Sequence, residues 1–493
     1  MKNRHLKKIF LGVVLLSAIP AANLLCLYLF PSLRVIFLSL SGISVLAVIA
    51  MRERAELKTS YIVLCVLLPV TAPLLVVSVF CLAYRSRVMM PRGGRDTLPD
   101  TSGLPRLIRG AAAAAMTHDP IAEMIFNFSS EYFSGGEAMA EDILNEISLA
   151  EEFIYLEYYI VCEGEFLDRL IDALATAASR GVRVSLIYDD LGSMLGVPED
   201  FSLRLGRMGI LAVPFSPVSP SAWRTNSRDH RKLLIIDGKT VYTGGINISD
   251  EYLFGEMAAG SWKDSGLKIR SSEPLSVTDG FEWMLAKACG ERIESRVDPP
   301  RGHKRRRAVS DAVCIIFSSY PHRIYGRSAA REVMLSLLSA AESSIVIASP
   351  YFIPDGELFG GLLRTARRGV DISVILPGVP DKRLVKAVAE SFYDEMLSAG
   401  IKIYEYTPGF LHSKIILIDG AAALVGSINF DQRSLYQNFE CAALIYGSAA
   451  LTDIKIDVDM IINESSRVEK SHGFSSVKKK AVRLVFEAAL PIL

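Results

Sequence analysis

The feature that most restricts how this chain can fold is a short pattern, His-x-Lys-x4-Asp, that occurs twice. Its two copies consist of His230, Lys232 and Asp237 and of His412, Lys414 and Asp419. In both copies a glycine follows the aspartate, and an asparagine, Asn247 or Asn429, stands ten positions after the aspartate. Matching flanks of this kind indicate an internal duplication. The chain is therefore expected to contain two similar halves.

The segments around the two copies repeat one order of strand, amphipathic helix and strand. In the first half these segments are 151–160, 165–180 and 182–188, and in the second half they are 343–348, 357–368 and 370–376. Alternation of strands and helices is typical of α/β folds. We therefore predict an α/β protein built from two duplicated subdomains.

The first ninety residues differ from the rest because they contain three apolar runs, 9–30, 35–51 and 61–84. The first and third are long enough to cross about 30 Å of hydrocarbon as helices. The middle run is shorter and rich in serine, and whether it spans, re-enters or pairs with a neighbouring helix is left open. A cleaved signal peptide would explain only one of the three runs. We predict a transmembrane helical anchor whose orientation the flanking basic residues do not fix.

At 493 residues the chain is too long for one ordinary domain. The composition shifts and the repeat predict four parts. These are an anchor at 1–89, a linker at 90–109, a first subdomain at 110–300 and a second subdomain at 301–493.

Charge and cysteine content argue against several functional classes. Lysine plus arginine and aspartate plus glutamate both number 54, so the chain as a whole does not attract polyanions such as nucleic acid. The seven cysteines are scattered and form no Cys-x-x-Cys or Cys/His pattern for zinc. We predict a reduced protein that binds no metal and needs no cofactor.

The spacing of the motif has a geometric meaning on a strand. Side chains two positions apart point to one side, so the histidine and lysine of each copy share a face. An Asp-Gly pair is a strong signal for a two-residue hairpin turn. With that turn, the register places His230 opposite Gly245 and His412 opposite Ser427. A small residue there would leave room for a phosphate, and the two asparagines would lie near the hairpin mouths.

These residue types suit the transfer of a phosphodiester group. A phosphodiester is anionic and repels nucleophiles, so its transfer needs a neutral nucleophile, a proton donor for the leaving alkoxide and fixed positive charge at the phosphoryl oxygens. Two imidazoles and two ammonium groups supply all of these. The sequence contains no carboxylate cluster of the kind that holds two magnesium ions.

The motif pair resembles the phospholipase D superfamily and, more narrowly, its bacterial cardiolipin synthases. Further segments that carry the narrower resemblance are 157–160, 188–189, 192–193, 250–252, 262–264, 350–355, 409–412, 429–434 and 438–440. The chain departs from the family pattern in two places. Arg228-Asp229 precedes the first histidine where asparagine is more usual, and Ser265-Gly266 replaces a usual Thr-His pair. The resemblance implies phospholipase D-type subdomains with mixed sheets flanked by helices.

The resemblance also implies roles for the motif residues. His230 would be the nucleophile and His412 the general acid/base, although the symmetry of the motifs leaves this assignment reversible on sequence alone. Asp264 and Glu440 would orient the two rings. The charge on phosphorus would be stabilised by Lys232, Lys414, Asn247 and Asn429. The motif aspartates, Asp237 and Asp419, would brace the structure rather than touch substrate.

The expected activity is transfer of a phosphatidyl group from one phosphatidylglycerol to another, which gives cardiolipin and glycerol through a phosphohistidine. The sequence leaves two alternatives open, a lipid hydrolase or transferase with another acceptor and, more remotely, a nuclease. The expected partners are phosphatidylglycerol and other anionic lipids of a bacterial cytoplasmic membrane, crossed more than once by the anchor, and no nucleic acid. The sequence does not indicate an oligomeric state.

Overall fold

The computed structural model describes residues 26–50, 100–217, 227–254, 261–290, 312–321 and 328–469, with a few single residues between 23 and 70. Most of the first and third apolar runs, the linker up to residue 99 and the second subdomain after residue 469 lie outside the described residues. The chain divides into two compact units, one formed by 1–88 and 473–493 and the other by 89–472.

The smaller unit contains a helix that matches the middle apolar run. This helix, α1, spans Arg34–Ala50 and follows a single 3₁₀ turn at Pro31–Leu33. Ser41 Oγ donates a hydrogen bond to the carbonyl oxygen of Cys65 at 2.6 Å. Within the described parts of the chain, we find no helix that combines the length and the hydropathy needed to cross a bilayer.

Among the described residues, the larger unit contains two large mixed sheets and two short parallel pairs of strands. The strands up to residue 271 are β1 Glu123–Ile125, β2 Phe128–Phe133, β3 Phe153–Tyr158, β4 Arg183–Asp189, β5 Ile210–Phe215, β6 Lys232–Ile236, β7 Thr240–Gly244, β8 Ser261–Lys263 and β9 Gly266–Ser271. The later strands are β10 Val313–Ser319, β11 Ser344–Ala348, β12 Phe352–Ile353, β13 Asp371–Pro377, β14 Lys402–Tyr406, β15 Gly409–Leu411, β16 Ile415–Ile418, β17 Ala422–Gly426, β18 Phe430–Asp431, β19 Glu440–Tyr446 and β20 Ser465–Val468.

The helices of this unit cover the sheets. They are α2 Arg106–His118, α3 Gly136–Leu149, α4 Glu165–Ser179, α5 Asp190–Ser193, α6 Phe201–Gly206, α7 Asp250–Phe254, α8 Val277–Ala288, α9 Ala329–Ala340, α10 Gly356–Arg367, α11 Arg383–Glu390, α12 Tyr393–Ser398, α13 Gln432–Tyr436 and α14 Ala450–Asn463. The two predicted strand-helix-strand units are confirmed, with bounds that differ from the expected ones by two residues or fewer.

The predicted duplication is confirmed by the order of the strands. The first sheet runs β2-β9-β7-β6-β3-β4-β5, and the second repeats this order as β10-β19-β17-β16-β11-β13-β14. The second sheet adds β1 and β20 at its two edges. Residues 106–125 therefore belong structurally with the second sheet, because α2 packs on α9 and β1 pairs with β10.

The two sheets share one hydrophobic core. It contains side chains of β6, β7 and β9 together with side chains of β16, β17 and β19. Because β6, β16 and β17 are buried on both faces, their sequences are nearly continuous apolar runs rather than alternating ones. The shared core holds the equivalent ends of the two sheets in fixed positions, and each motif histidine lies just before such a central strand.

Both motif hairpins turn at the Asp-Gly pair, but the predicted register is wrong by one residue. Asp237 and Asp419 both have φ of 51°, in the left-handed region that a turn of this type requires. The ladder pairs Ile236 with Thr240, not with Lys239. The carbonyl oxygen of Lys239 instead accepts a hydrogen bond from Ser271 of the adjacent strand at 2.9 Å, which leaves Lys239 as an extra loop residue.

The second hairpin contains the same extra residue, because Ile418 pairs with Ala422. The expected placement of Gly245 opposite His230 and of Ser427 opposite His412 therefore does not occur. Gly245 and Ser427 instead contact the buried carboxylates of Asp264 and Glu440.

The motif aspartates lie at the hairpin turns, away from the histidines. Each aspartate lies seven positions after its histidine, which along a strand corresponds to roughly 20 Å. The carboxylate of Asp237 accepts hydrogen bonds from the backbone N–H groups of Glu151, Glu152 and Phe153 at 2.7–2.9 Å. Asp419 does the same for residues 342–344 at 2.8–2.9 Å. These hydrogen bonds agree with the bracing role expected for both motif aspartates.

We expect Asp419→Ala to lower the free energy of unfolding by about 3 kcal/mol or more, because three backbone N–H groups lose a charged acceptor. The specific activity of the folded enzyme should remain within about tenfold of wild type. Thermal unfolding and a rate measured well below the transition would test both expectations. Asp371→Ala is the control, since Asp371 forms only an exposed ion pair with Lys402. Loss of activity with unchanged stability would contradict the bracing function.

Candidate active site

The backbone of each motif histidine is held by a segment from the other half of the larger unit. The N–H of His230 donates to the carbonyl oxygen of Phe439 at 2.9 Å. The N–H of His412 donates to the carbonyl oxygen of Lys263 at 2.7 Å, at the end of the parallel pairing of β15 with β8. The two motifs are therefore connected across the duplication and not only placed beside each other.

The imidazole side chain of each motif histidine also contacts a carboxylate from the other half. Nδ1 of His230 lies 3.0 Å from the carboxylate of Glu440, and Nδ1 of His412 lies 2.6 Å from that of Asp264. Both carboxylates are fully buried. A carboxylate on Nδ1 fixes the ring orientation and leaves Nε2 for chemistry. The two orienting residues predicted from the resemblance thus contact the rings, each from the opposite half.

The small residues at 245 and 427 lie against these carboxylates. Ser427 Oγ donates a hydrogen bond to Glu440, and Asn438 Nδ2 donates to the same carboxylate at 3.3 Å. Gly245 packs so closely on Asp264 that any side chain at 245 would overlap with it. The space expected for a phosphate is therefore occupied by the group that orients the histidine of the other half.

The motif lysines are buried beside the histidines. Lys232 Nζ donates to the carbonyl oxygen of His230 at 2.6 Å, and Lys414 Nζ donates to that of His412. Burial is the main cause that lowers the pKa of Lys232 to about 7 and that of Lys414 to about 8. Burial also raises the pKa of Glu440 to about 7. An anion bound here would favour the charged lysines.

Both imidazoles experience the charges of both lysines. Burial, then Lys232 and Lys414, hold the pKa of His230 well below its ordinary value. Burial, Lys414 and, more weakly, Lys232 lower the pKa of His412 to about 3. Each histidine is thus neutral in the free enzyme. Since one lysine comes from each half, these influences agree with the crossed hydrogen bonds, which place the two motifs at one site.

The two asparagines, which follow the motif aspartates at the same spacing in both halves, have buried side chains. Asn247 Oδ1 accepts a hydrogen bond from the N–H of Ile160 at 3.1 Å, which leaves its amide group to donate. Asn429 Oδ1 is buried and has no hydrogen-bond partner among the described residues. Donation from these amides to a phosphoryl oxygen remains a prediction.

The rings around the two histidines differ. The ring of Tyr159 lies 5.0 Å from that of His230. His412 is surrounded more completely, by Tyr252 at 5.3 Å, Trp262 at 5.1 Å and Phe410 at 5.9 Å between ring centroids. The duplicated site is therefore chemically asymmetric outside its motif residues.

The segment before His230, where the sequence departs from the family pattern, is fixed by buried ion pairs. Arg228 Nη2 donates to Asp189 Oδ1 at 2.8 Å, and the backbone N–H of Asp229 donates to Asp189 Oδ2 at 2.9 Å. The guanidinium of Arg231 lies 3.2 Å from the carboxylate of Asp229. These contacts hold the loop that carries the histidine.

Several residues of the site were not identified from the sequence. They include Tyr159, Ser427 as a donor to Glu440, Asp189 with Arg228, and Arg433, whose charge also lowers the pKa of His230. One sequence signal could have identified the two carboxylates as equivalent positions of the two halves, although it does not show which ring each contacts. An acidic residue stands at or just before the strand that pairs with the second strand of each motif hairpin, Asp264 before β9 and Glu440 at the start of β19.

Binding of inorganic phosphate at pH 8 should take up roughly one proton per site. At that pH, lysines with pKa values near 7 and 8 are largely or half neutral, and an anion between them raises both pKa values, so protons enter with the ligand. Calorimetry in Hepes and in Tris would count the protons from the difference in heat. Lys402→Ala, at an exposed lysine, is the control. Heats that do not depend on the buffer would contradict this electrostatic account.

Fold and site together define a class of protein. A duplicated α/β unit that brings two imidazoles and two ammonium groups to one place, each imidazole held by a carboxylate of the other half, is a two-histidine phosphodiester-transfer centre. Among the described residues, no cluster of His, Cys, Asp and Glu could hold a metal ion.

Comparisons with known proteins agree with this class. The family described as "Cardiolipin synthase, PLD-like domain" matches residues 143–263 and 334–462. An uncharacterized protein of Streptococcus mutans is 35% identical over 371 residues, which are 74% of this chain and 79% of the relative. The cardiolipin synthase of Alkalihalophilus pseudofirmus is 34% identical over 351 residues, 70% of this chain and 68% of that enzyme.

Among solved structures, the phosphatidylserine synthase of Haemophilus influenzae Rd KW20 superposes with a TM-score of 0.58 at 15% identity. It covers 78% of this chain and 98% of its own, and this likeness supports the fold alone. The chain belongs to the cardiolipin synthase group of phospholipase D-like proteins. The predicted family is confirmed, and with it the predicted enzyme class, a phosphatidyltransferase of the phospholipase D family.

Proposed function

We propose that this enzyme is a cardiolipin synthase that transfers a phosphatidyl group between two molecules of phosphatidylglycerol. The observation that carries the proposal is the crossed pairing of His230 with Glu440 and of His412 with Asp264. It orients two imidazoles on one site, where one can attack phosphorus while the other transfers a proton. Relatives of similar length are named cardiolipin synthases, which supports a phospholipid as the substrate.

In the first half of the reaction, Nε2 of neutral His230 attacks the phosphorus of one phosphatidylglycerol. The bond from phosphorus to the headgroup glycerol oxygen breaks, and protonated His412 donates its proton to that oxygen, which releases glycerol. The phosphatidyl group remains bound to His230. Lys232 and Lys414 stabilise the negative charge on the phosphoryl oxygens, with the amides of Asn247 and Asn429 as additional donors.

His412 must be protonated for this step although its pKa is low in the free enzyme. Burial and the two lysine charges lower that pKa. A bound phosphodiester adds a negative charge and partly cancels the effect of the lysines, so the pKa of His412 rises when substrate is present. Asp264 then stabilises the imidazolium that results.

In the second half, the neutral His412 removes the proton from a headgroup hydroxyl of a second phosphatidylglycerol. The hydroxyl oxygen attacks phosphorus, the bond from phosphorus to His230 breaks, and cardiolipin forms. His230 is again neutral and His412 is again protonated. The cycle consumes no cofactor and balances in protons.

We also propose that the N-terminal part of the chain anchors the enzyme in the bacterial cytoplasmic membrane. The support is the succession of three apolar runs, 9–30, 35–51 and 61–84, within the first ninety residues. An anchor would keep the site beside its lipid substrates and raise their effective concentration.

The decisive experiment incubates the purified full-length enzyme in detergent with labelled phosphatidylglycerol and without added metal, and separates the products by chromatography. Cardiolipin and glycerol in equal amounts are expected. Phosphatidic acid alone would indicate a hydrolase, and a mixed product after addition of another alcohol would indicate a broader transferase. Cleavage of DNA without any reaction of the lipid would overturn the proposal in favour of a nuclease.

A further inference from the structure

The duplicated halves differ beside two equivalent tyrosines. Tyr159 and Tyr351 each follow the first strand of their strand-helix-strand unit, and each lies six residues before the glutamate, Glu165 or Glu357, of the following helix. In the first half, Gly192 packs on Tyr159 so tightly that a side chain at 192 would overlap with it. The space beside Tyr159 is therefore filled by the protein itself.

In the second half, the corresponding space is an open pocket. Its volume is about 320 Å³, a figure that includes the open solvent at its mouth. Its lining includes Tyr351, Asp381, Lys382, Lys386 and Phe410. The walls are otherwise mostly proline, leucine, valine and alanine, so the pocket combines an apolar surface with a few charged groups.

The pocket adjoins His412 and not His230. The ring of Phe410 lies 5.9 Å from that of His412 and 6.5 Å from that of Tyr351, so a single ring separates the pocket from the imidazole. Asp381 lies close enough to the motif lysine of this half to oppose the lowering of the pKa of Lys414. A ligand in this pocket would thus approach the catalytic centre from the side of His412.

The polar groups of the pocket are held in position by one another. Tyr351 donates its hydroxyl hydrogen to Asp381 Oδ2 at 2.5 Å, and Lys382 Nζ donates to the hydroxyl oxygen of Tyr351 at 3.3 Å. Lys386 Nζ is fixed by the carbonyl oxygen of Gly378 at 2.6 Å. The Lys382 side chain is about two thirds exposed, and its ammonium group suits a phosphodiester, while the carboxylate of Asp381 can accept from a hydroxyl group.

We propose that this pocket is the acceptor subsite, which holds the headgroup of the anionic phospholipid that receives the phosphatidyl group. The inference rests on the proposed function and adds to it separate binding places for the donor lipid and the acceptor lipid. The donor lipid reacts at His230, whereas the acceptor binds at Tyr351, Asp381 and Lys382 and presents its hydroxyl to His412. The duplication supplied two equivalent places, of which one is filled and the other is open.

The test compares two reactions of the full-length enzyme that share the donor step. One is cardiolipin formation, which needs a lipid acceptor. The other is exchange of the phosphatidylglycerol headgroup with labelled free glycerol, an acceptor without a phosphate. Lys382→Ala removes the exposed charge, Val385→Trp fills the pocket, and Arg383→Ala is the matched control, because Arg383 is exposed, adjacent in sequence and absent from the pocket lining.

Lys382→Ala and Val385→Trp should each reduce cardiolipin formation about tenfold or more, while glycerol exchange stays within about twofold of wild type. Arg383→Ala should leave both rates near wild type. Equal loss of both reactions in the Lys382→Ala enzyme, or no loss of either, would overturn the acceptor subsite. A wild-type enzyme that exchanges glycerol but makes no cardiolipin would instead overturn the proposed function itself.

Discussion

His230→Ala and His412→Ala should each reduce cardiolipin formation to about 10⁻⁴ of the wild-type rate or less, because one removes the nucleophile and the other removes the proton donor and acceptor. Initial rates with labelled phosphatidylglycerol measure this effect. The crossed hydrogen bonds that hold both rings make it improbable for either imidazole to substitute for the other. His118→Ala, at the end of α2, serves as the control and should stay near wild type.

An activated donor separates the two roles. A phosphatidyl ester of p-nitrophenol has a leaving group that needs no proton, so His412→Ala should still release one equivalent of p-nitrophenol in a burst and then stop as the phosphatidyl-enzyme. His230→Ala should give no burst. A burst from His230→Ala and none from His412→Ala would reverse the assignment.

Glu440→Gln and Asp264→Asn should each lower kcat by about 10²- to 10³-fold with little change in KM, because both carboxylates act through a histidine rather than on the lipid. The conservative Glu440→Asp should recover part of the loss. Glu131→Gln, at an exposed carboxylate, is the control. A large change in KM at constant kcat would contradict an orienting role.

The pH profile provides a readout that a merely structural role would not change. Asp264 raises the pKa of His412 against the effect of burial, so its removal lowers that pKa further. The protonated form needed for the first step is then lost at lower pH. The falling limb of kcat against pH should therefore move toward lower pH by about one unit or more in Asp264→Asn. An unchanged limb would mean that Asp264 does not control the protonation of His412.

Local features of the fold followed closely from the sequence. The strand and helix bounds agree because periodicity and burial on both faces determine them, and the Asp-Gly turns were correctly located. The predicted hairpin register was wrong because an Asp-Gly pair locates the turn but does not show whether strand pairing begins at the next residue or one residue later. The carbonyl oxygen of Lys239 accepts a hydrogen bond from the backbone N–H of Ser271 in a third strand. A contact between strands that are distant in sequence has no signal in the residues near the turn.

The site was predictable in its residue types but not in its connections. The motif spacing identified both histidines and both lysines, and the resemblance supplied Asp264 and Glu440. No pattern within either half indicated that each carboxylate serves the ring of the other half. That arrangement depends on how the two sheets pack, which is set by the shared core between β6, β7 and β9 and their counterparts.

Crossing of the carboxylates changes how genetic variation in this enzyme should be interpreted. Glu440 lies 210 positions from His230, and Asp264 lies 148 positions from His412. A second-site suppressor of a defect at 440 is therefore to be sought around residue 230 of the other half, not among the sequence neighbours of 440. In diverging relatives, substitutions near Glu440 should therefore be accompanied by substitutions near His230, and those near Asp264 by substitutions near His412. The two repeats cannot change independently of each other.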